Sequence, residues 1–394
     1  MAARAELLKH NLSDGRKISF MANAWDADLI AGATDASSYS GKPLGIGVIG
    51  TGGIAQSVHL PTYKKLQDEG KVKIIALCDI KPDKLAEADR KFGPAQIYED
   101  YRELLLNPEV EAVDVCTPNF MHMPPVIAAF EAGKHVICEK PIALNGGQGE
   151  LMVAAAQKSG KKFQVGLNMR FGAGPQAIKR LLDSGKFGDI YYARAQALRR
   201  RGVPTWGVFT EKDKQGGGPL IDIGVHILDM SLWLMGHPKP VAVSGTAVTK
   251  FGHRSGHVNL FGKPWDPNNF TVEDFASGYV KFENGASLVL ESSFVLNNDK
   301  ERFETSLFGT EGGVFLDLHN DANTRIYTEE AGALYDSQPV FLPNVATHEA
   351  EIRAFVHSVS TDTPVAVPGE EALMVSRVLS ALYESSETGK EVRL

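Results

Sequence analysis

The sequence predicts a parallel α/β domain followed by an α+β domain with a large, mostly antiparallel open sheet. Three observations carry this expectation. Between residues 44 and 167, short apolar runs alternate with helical segments. After about Gly172 the runs lengthen and alternate apolar with polar residues, as in Ser287-Leu288-Val289-Leu290-Glu291. Asn284-Gly285 then separates two of these runs, as a type I′ hairpin turn would. Unbroken apolar runs joined by crossover helices suit strands covered on both faces, and alternation suits strands with one wet face.

In the first half, strands are expected over residues 44–49, 73–78, 112–117, 135–138 and 163–167. Helices fall between them at 55–66, 82–91, 101–106, 124–131 and 149–158. In the second half a helix at 175–184 precedes strands at 190–197, 241–249, 275–282, 286–294, 303–308 and 313–318. Two amphipathic helices, at 348–358 and 370–385, close the chain.

A chain of 394 residues exceeds one ordinary core. It divides into an extension at 1–43, a first domain at 44–168, and a second at 169–394 whose closing helices are free to pack back on the first. Net charge of −7 argues against nucleic acid as a partner, because a phosphate backbone needs a basic face. No apolar stretch approaches the roughly 20 residues that span a bilayer. Cys78, Cys116 and Cys138 each end an apolar run, and their odd number fits no complete disulfide framework. Reduced thiols in a cytoplasmic protein are the expectation. No metal site is expected.

Gly50-Thr51-Gly52-Gly53-Ile54-Ala55 follows the first strand and opens a helix. The first glycine allows a tight turn, the second lets backbone approach a pyrophosphate, and small Ala55 lets helix pack on strand. This is the phosphate-binding turn of a Rossmann dinucleotide site, with Gly50, Gly52, Gly53 and Ile54 against the cofactor. Asp79, ending the second strand, would accept hydrogen bonds from the adenosine ribose and repel a 2′-phosphate, which favours NAD over NADP. Thr117-Pro118-Asn119 and His122 follow the next strand, at the edge where the nicotinamide half would lie. Arg170, just past the fifth strand, is expected near cofactor or substrate.

Glu139-Lys140-Pro141 ends the fourth strand at the same edge, and downstream Asp222 and His226 stand four apart after Gly216-Gly217-Gly218. On a helix, residues at that spacing share a face. A lysine, a carboxylate and a histidine beside a nicotinamide suit alcohol oxidation, where a hydroxyl loses its proton while its carbon gives up a hydride.

Together these motifs resemble the Gfo/Idh/MocA family, the glucose–fructose oxidoreductase and inositol dehydrogenase group, from about Leu44 to the closing Ser386-Glu387-Thr388-Gly389-Lys390. The resemblance implies that Lys140 lies between nicotinamide and substrate, with Asp222 and His226 completing the site. It also implies that Glu139 contacts the cofactor ribose and that a cis bond precedes Pro141. A sugar, cyclitol or glycoside would be the substrate, oxidised or reduced by hydride transfer, and the second sheet would form a homodimer or homotetramer. Two other readings use the same residues: redox-neutral glycoside cleavage through a keto-sugar, and an NAD-binding sensor without catalysis. The chain departs from the family in its N-terminal extension and in Arg199-Arg200-Arg201-Gly202-Val203-Pro204-Thr205-Trp206. On a strand Arg199 and Arg201 share one side. Either guanidinium would suit an anionic group on the substrate, and Trp206 the apolar face of a sugar.

Overall fold

The computed structural model describes residues 41–93 and 95–394, so the extension expected at 1–43 lies almost wholly outside the described residues. The first sheet comprises β1 (Leu44–Ile49), β2 (Val72–Cys78), β3 (Gln96–Tyr98), β4 (Ala112–Val115), β5 (His135–Glu139) and β6 (Phe163–Gly166). The strands run parallel in the order β3-β2-β1-β4-β5-β6. Strand order reverses between β1 and β4, and in such sheets the carboxyl ends at the reversal form the ligand crevice. Sequence reading missed β3 because Gln96-Ile97-Tyr98 is short and largely exposed, without an apolar run.

The second sheet is nine-stranded and mixed, in the order β14-β13-β12-β11-β7-β10-β9-β8-β15. Its strands are β7 (Ile190–Leu198), β8 (Pro240–Val248), β9 (Phe275–Phe282), β10 (Ser287–Ser293), β11 (Arg302–Gly309), β12 (Gly312–Asp317), β13 (Arg325–Glu330), β14 (Ala333–Ser337) and β15 (Val392–Arg393). Its named pairs are antiparallel except β7 with β10, which are parallel. Ala193, Ala195 and Ala197 of β7 are buried with Leu288, Leu290 and Leu307 of its neighbours. The helices Val225–Leu234 and Gly369–Thr388 pack on this sheet. β13 and β14 were not foreseen, because they form an exposed edge in which Ile326-Tyr327 and Leu334-Tyr335 are adjacent in sequence and show no apolar–polar alternation.

Both closing helices reach the first domain. The helix Thr347–Thr361 buries Ile352, Phe355 and Val356 in the same core as Ile46, Val48 and Leu60. Its Arg353 pairs with Glu69 at 2.6 Å. The helix Gly369–Thr388 lies against the helix Gly146–Ser159, where Gly146 N donates to Ser380 Oγ at 3.0 Å and Arg377 pairs with Glu150 at 2.8 Å. All three thiols are buried and free. Among the described residues no helix is long and apolar enough to cross a membrane.

Candidate active site

At the end of β1 the chain must turn sharply. Gly50 does so at φ 94°, and a Cβ there would stand 2.8 Å from the carbonyl carbon and oxygen of Cys116. Only glycine fits. By contrast, a Cβ on Gly52 or Gly53 would meet no protein atom within 4 Å, so this part of the turn borders open space. The next turn, Ala55–His59, is π-helical before the α-helix Leu60–Asp68 begins, and no side chain caps it. The helix opens at these glycines, and the open space beside them fits a dinucleotide pyrophosphate. Asp79 stands at the mouth of this cradle, where its Oδ2 accepts from Thr51 N at 2.7 Å and its Oδ1 from Lys81 N at 2.9 Å. A ribose 2′-phosphate would meet that carboxylate, in keeping with NAD.

Lys140 follows β5, and the peptide that joins it to Pro141 is cis. Its Nζ donates to the backbone carbonyl of Asp222 at 2.9 Å and to Asp222 Oδ1 at 3.2 Å. Asp222 lies in a π-helical turn, Leu220–Gly224, which leads into the α-helix Val225–Leu234. That turn is anchored by Glu273, whose carboxylate accepts from Gly218 N at 2.9 Å, Leu220 N at 3.1 Å and Tyr383 OH at 2.8 Å. Glycine is required for so close an approach, since a Cβ at Gly218 would lie 2.2 Å from Glu273 O.

Asp222 does not orient His226, contrary to the pairing expected from their spacing. Asp222 Oδ1 faces Lys140, and Oδ2 faces Arg199 Nη1 at 3.4 Å. A π-turn changes the helical register, so residues four apart no longer stand directly above one another. His226 is buried, its Nδ1 has no hydrogen-bond partner among the described residues, and its ring meets Phe303 edge-on. Burial, and then the charge of Lys140, hold its pKa well below the ordinary histidine value. His226 is therefore neutral.

Beneath Lys140 lies a buried polar cluster that sequence reading missed. His59 Nδ1 stands 2.6 Å from Asp114 Oδ2, and its Nε2 3.0 Å from Glu139 Oε1. Burial opposes a charged imidazole here, but the charges and hydrogen bonds of Asp114 and Cys116 together outweigh it and raise His59 well above its usual value. Burial likewise pushes Glu139 up, yet the hydrogen bond and charge of His59 hold its carboxyl down at about 2. Glu351 lies in the same field with neither oxygen hydrogen-bonded among the described residues, and burial, then Glu139, raise its pKa well above normal. The ligand atoms of His59, Asp114 and Cys116 converge within 4.8 Å, but both ring nitrogens of His59 already face carboxylates. An acidic residue in the midst of Ala112-Val113-Asp114-Val115 was the visible sign of this cluster.

Several residues expected at the ligand are held by other protein groups. Glu139 Oε1 faces His59 and Oε2 accepts from Lys140 N at 3.1 Å, which fixes the lysine turn. His122 is fully buried between the carbonyls of Pro141, at 2.8 Å, and Thr117, at 2.9 Å, and so joins the two loops. Asn119 Nδ2 donates to Gln215 O of the second domain at 2.9 Å, and Thr117 Oγ1 donates to Met121 O. Pro118 starts the short 3₁₀ turn Asn119–Met121. Arg170 is only 2% exposed, with Nε on Asp229 Oδ2 at 2.9 Å, Nη2 on Asp229 Oδ1 and Nη1 on Glu371. Those pairs engage all three of its side-chain nitrogens. Arg201 is likewise held, donating to the carbonyls of Arg200 and Leu296 and to Asn297 Oδ1. Arg199 does reach Asp222, and Trp206 stands 56% exposed beside Phe261.

A glycine cradle at the switch point, with a lysine–aspartate pair across the crevice, defines a nicotinamide-dependent oxidoreductase. Comparison with known proteins places it more closely. Residues 44–167 match the model described as oxidoreductase family, NAD-binding Rossmann fold, and residues 179–394 that of the oxidoreductase family C-terminal alpha/beta domain. The chain belongs to this Gfo/Idh/MocA family. It is 34% identical over 359 residues to D-glucoside 3-dehydrogenase of Escherichia coli, covering 91% of this chain and 99% of that one. Identity to myo-inositol 2-dehydrogenase of Thermotoga maritima is 28% over 358 residues, covering 89% and 98% of the two chains. A solved oxidoreductase domain protein from Kribbella flavida superposes with a TM-score of 0.78 at 26% identity, covering 90% of this chain and 99% of that one.

Proposed function

We propose that this protein oxidises a ring carbinol of a sugar, cyclitol or glycoside at the Lys140–Asp222–His226 crevice. The observation that carries the reading is the placement of Lys140: it leaves the carboxyl edge of the first sheet and meets Asp222 of the second domain. Bound NAD supplies the acceptor for the hydride that leaves the carbinol carbon. The chain's own residues manage the proton. Lys140 donates a hydrogen bond to the carbinol oxygen and favours the alkoxide that develops. His226, neutral and buried, accepts the hydroxyl proton. Asp222 holds Lys140 in place against the reacting oxygen. The names of the E. coli and Thermotoga relatives, a glucoside and an inositol dehydrogenase, agree with this substrate class.

The second sheet supports assembly into a homo-oligomer. Tyr279 and Tyr327 stand 40% exposed on its strands, and Tyr335 and Leu334 of β14 are more exposed still. Aromatic surface on this scale favours a second copy, and light scattering would show a mass above 42.7 kDa.

The reading is tested by a screen of free sugars, cyclitols and glycosides for NAD reduction, with fluorescence of bound NADH followed in parallel. Free NADH accumulating with one of these classes is the expected result. Release of sugar while NADH stays bound would mean redox-neutral cleavage, and no reduction by any of them would end the proposal.

A further inference from the structure

β8 and β9 are antiparallel neighbours, yet residues 249–274 separate them, far more than the usual hairpin loop of about 2–5 residues. This excursion is tightly held. Asp274 Oδ2 accepts from Lys250 N at 2.8 Å, Phe251 N at 2.5 Å and Gly252 N at 2.8 Å. Asn259 exchanges two hydrogen bonds with the backbone of Val203, at 2.9 and 3.1 Å. Trp265, Phe270 and Val272 form a separate small core with Val203, Phe294 and Val295. A loop anchored at so many points presents its surface side chains in fixed positions.

One of these is Phe261. Its ring lies 4.6 Å from the guanidinium carbon of Arg199, which also stands 5.6 Å from the ring of Phe294. Trp206 lies nearly parallel to Phe261, 6.4 Å between centroids and 13° between planes, and Phe209 braces it edge-on. Trp206 remains 56% exposed, and Leu260, which precedes Phe261 in the chain, is 64% exposed. Arg199 in turn stands on Asp222, and Asp222 on Lys140. An aromatic shelf thus begins one side chain beyond the proposed reaction centre. A free monosaccharide or cyclitol bound at Lys140 has no further ring to lay on it.

We propose that Trp206 and Phe261 form a subsite for the aglycone of a glycoside, taking a ring with an apolar face, either an aryl group or a second pyranose. This rests on the reading above, that the glycone is oxidised at Lys140. Aromatic faces recognise such rings by stacking, and Arg199 fixes the shelf relative to the reacting sugar.

The test compares kcat/KM for methyl glucoside, phenyl glucoside and a glucosyl-glucose disaccharide in the wild type, Trp206→Ala and Trp206→Ala with Phe261→Leu. The wild type should favour at least one ring-bearing glycoside over the methyl glycoside by about tenfold, and which one is favoured distinguishes aryl from sugar. The substitutions should bring that ratio close to one, with turnover of the methyl glycoside showing in each variant whether the reaction centre is intact. A wild-type ratio near one, or a ratio that survives both substitutions, overturns the subsite while leaving the oxidation standing. Absence of NAD reduction by every glycoside, with a free sugar or cyclitol still oxidised, removes the subsite and leaves the oxidation standing, whereas no reduction by any of the three classes removes both.

Discussion

Lys140 Nζ donates to both the backbone carbonyl and the side-chain Oδ1 of Asp222, at 2.9 and 3.2 Å, so the lysine that ends β5 is locked to a turn of the other domain. Two cations, Lys140 and Arg199, share this one carboxylate. Asp222 thus acts on the lysine and leaves the histidine alone. Asp222→Asn keeps the shape and removes the charge. It should lower kcat by about ten- to a hundredfold, less than the hundred- to ten-thousandfold typical of a group that moves the proton. NADH binding, followed by fluorescence, should stay near wild type. A loss of kcat as deep as that of a lysine substitution would make Asp222 a proton carrier.

Arg170 reads as an anchor. Replacing it with Met leaves Asp229 buried without its partner, and breaking such a pair costs about 3–5 kcal/mol. Thermal unfolding should shift downward clearly, while the KM for NAD in the surviving fold stays the same. A changed KM with unchanged stability would return Arg170 to the cofactor site.

The neutral state of His226 has a sign that kinetics can read. Because burial and Lys140 hold its pKa below the ordinary value, the proton-accepting form persists as pH falls. The profile of kcat/KM should therefore show no His226 acid limb near the unperturbed pKa of ~6.5. A one-proton fall centred there, and abolished in His226→Gln, would contradict the neutral buried histidine.

Glu351 presents the opposite case. Its folded pKa is raised, so the folded chain keeps a proton that the unfolded chain releases once pH passes the usual carboxylate value. Stability is lost as pH rises above that value. Glu351→Gln removes this penalty and should raise stability by about 1 kcal/mol or more, with a larger gain at about pH 8 than at about pH 5. Urea unfolding at the two pH values measures it, and a destabilised variant would show that the carboxyl is ionised and paired.

The strands of the first sheet were legible because burial on both faces leaves them uniformly apolar, as in Leu44–Ile49. The glycine turn was legible because Gly50 has no substitute at its φ. Lys140, Asp222 and His226 stood out through their motifs, but their pairing was not legible: helical spacing predicted Asp222 on His226, and the π-turn delivered it to Lys140 and Arg199. Side-chain direction also escaped the sequence. Arg170 and His122 stand at strand ends facing the crevice, yet Asp229, Glu371 and two carbonyls, all distant in sequence, draw them inward. His59 and Glu351 lie in helices whose sequence carries no sign that the fold brings both into the field of Glu139.

Lys140→Met shows whether Lys140 acts at the oxidised carbinol. Methionine keeps the length of the side chain and removes its charge and donors. Turnover of NAD with the active glycoside or cyclitol should fall by about a hundred- to ten-thousandfold, while NADH still binds with near-normal fluorescence. Turnover close to wild type in a variant that binds NADH normally would contradict the account.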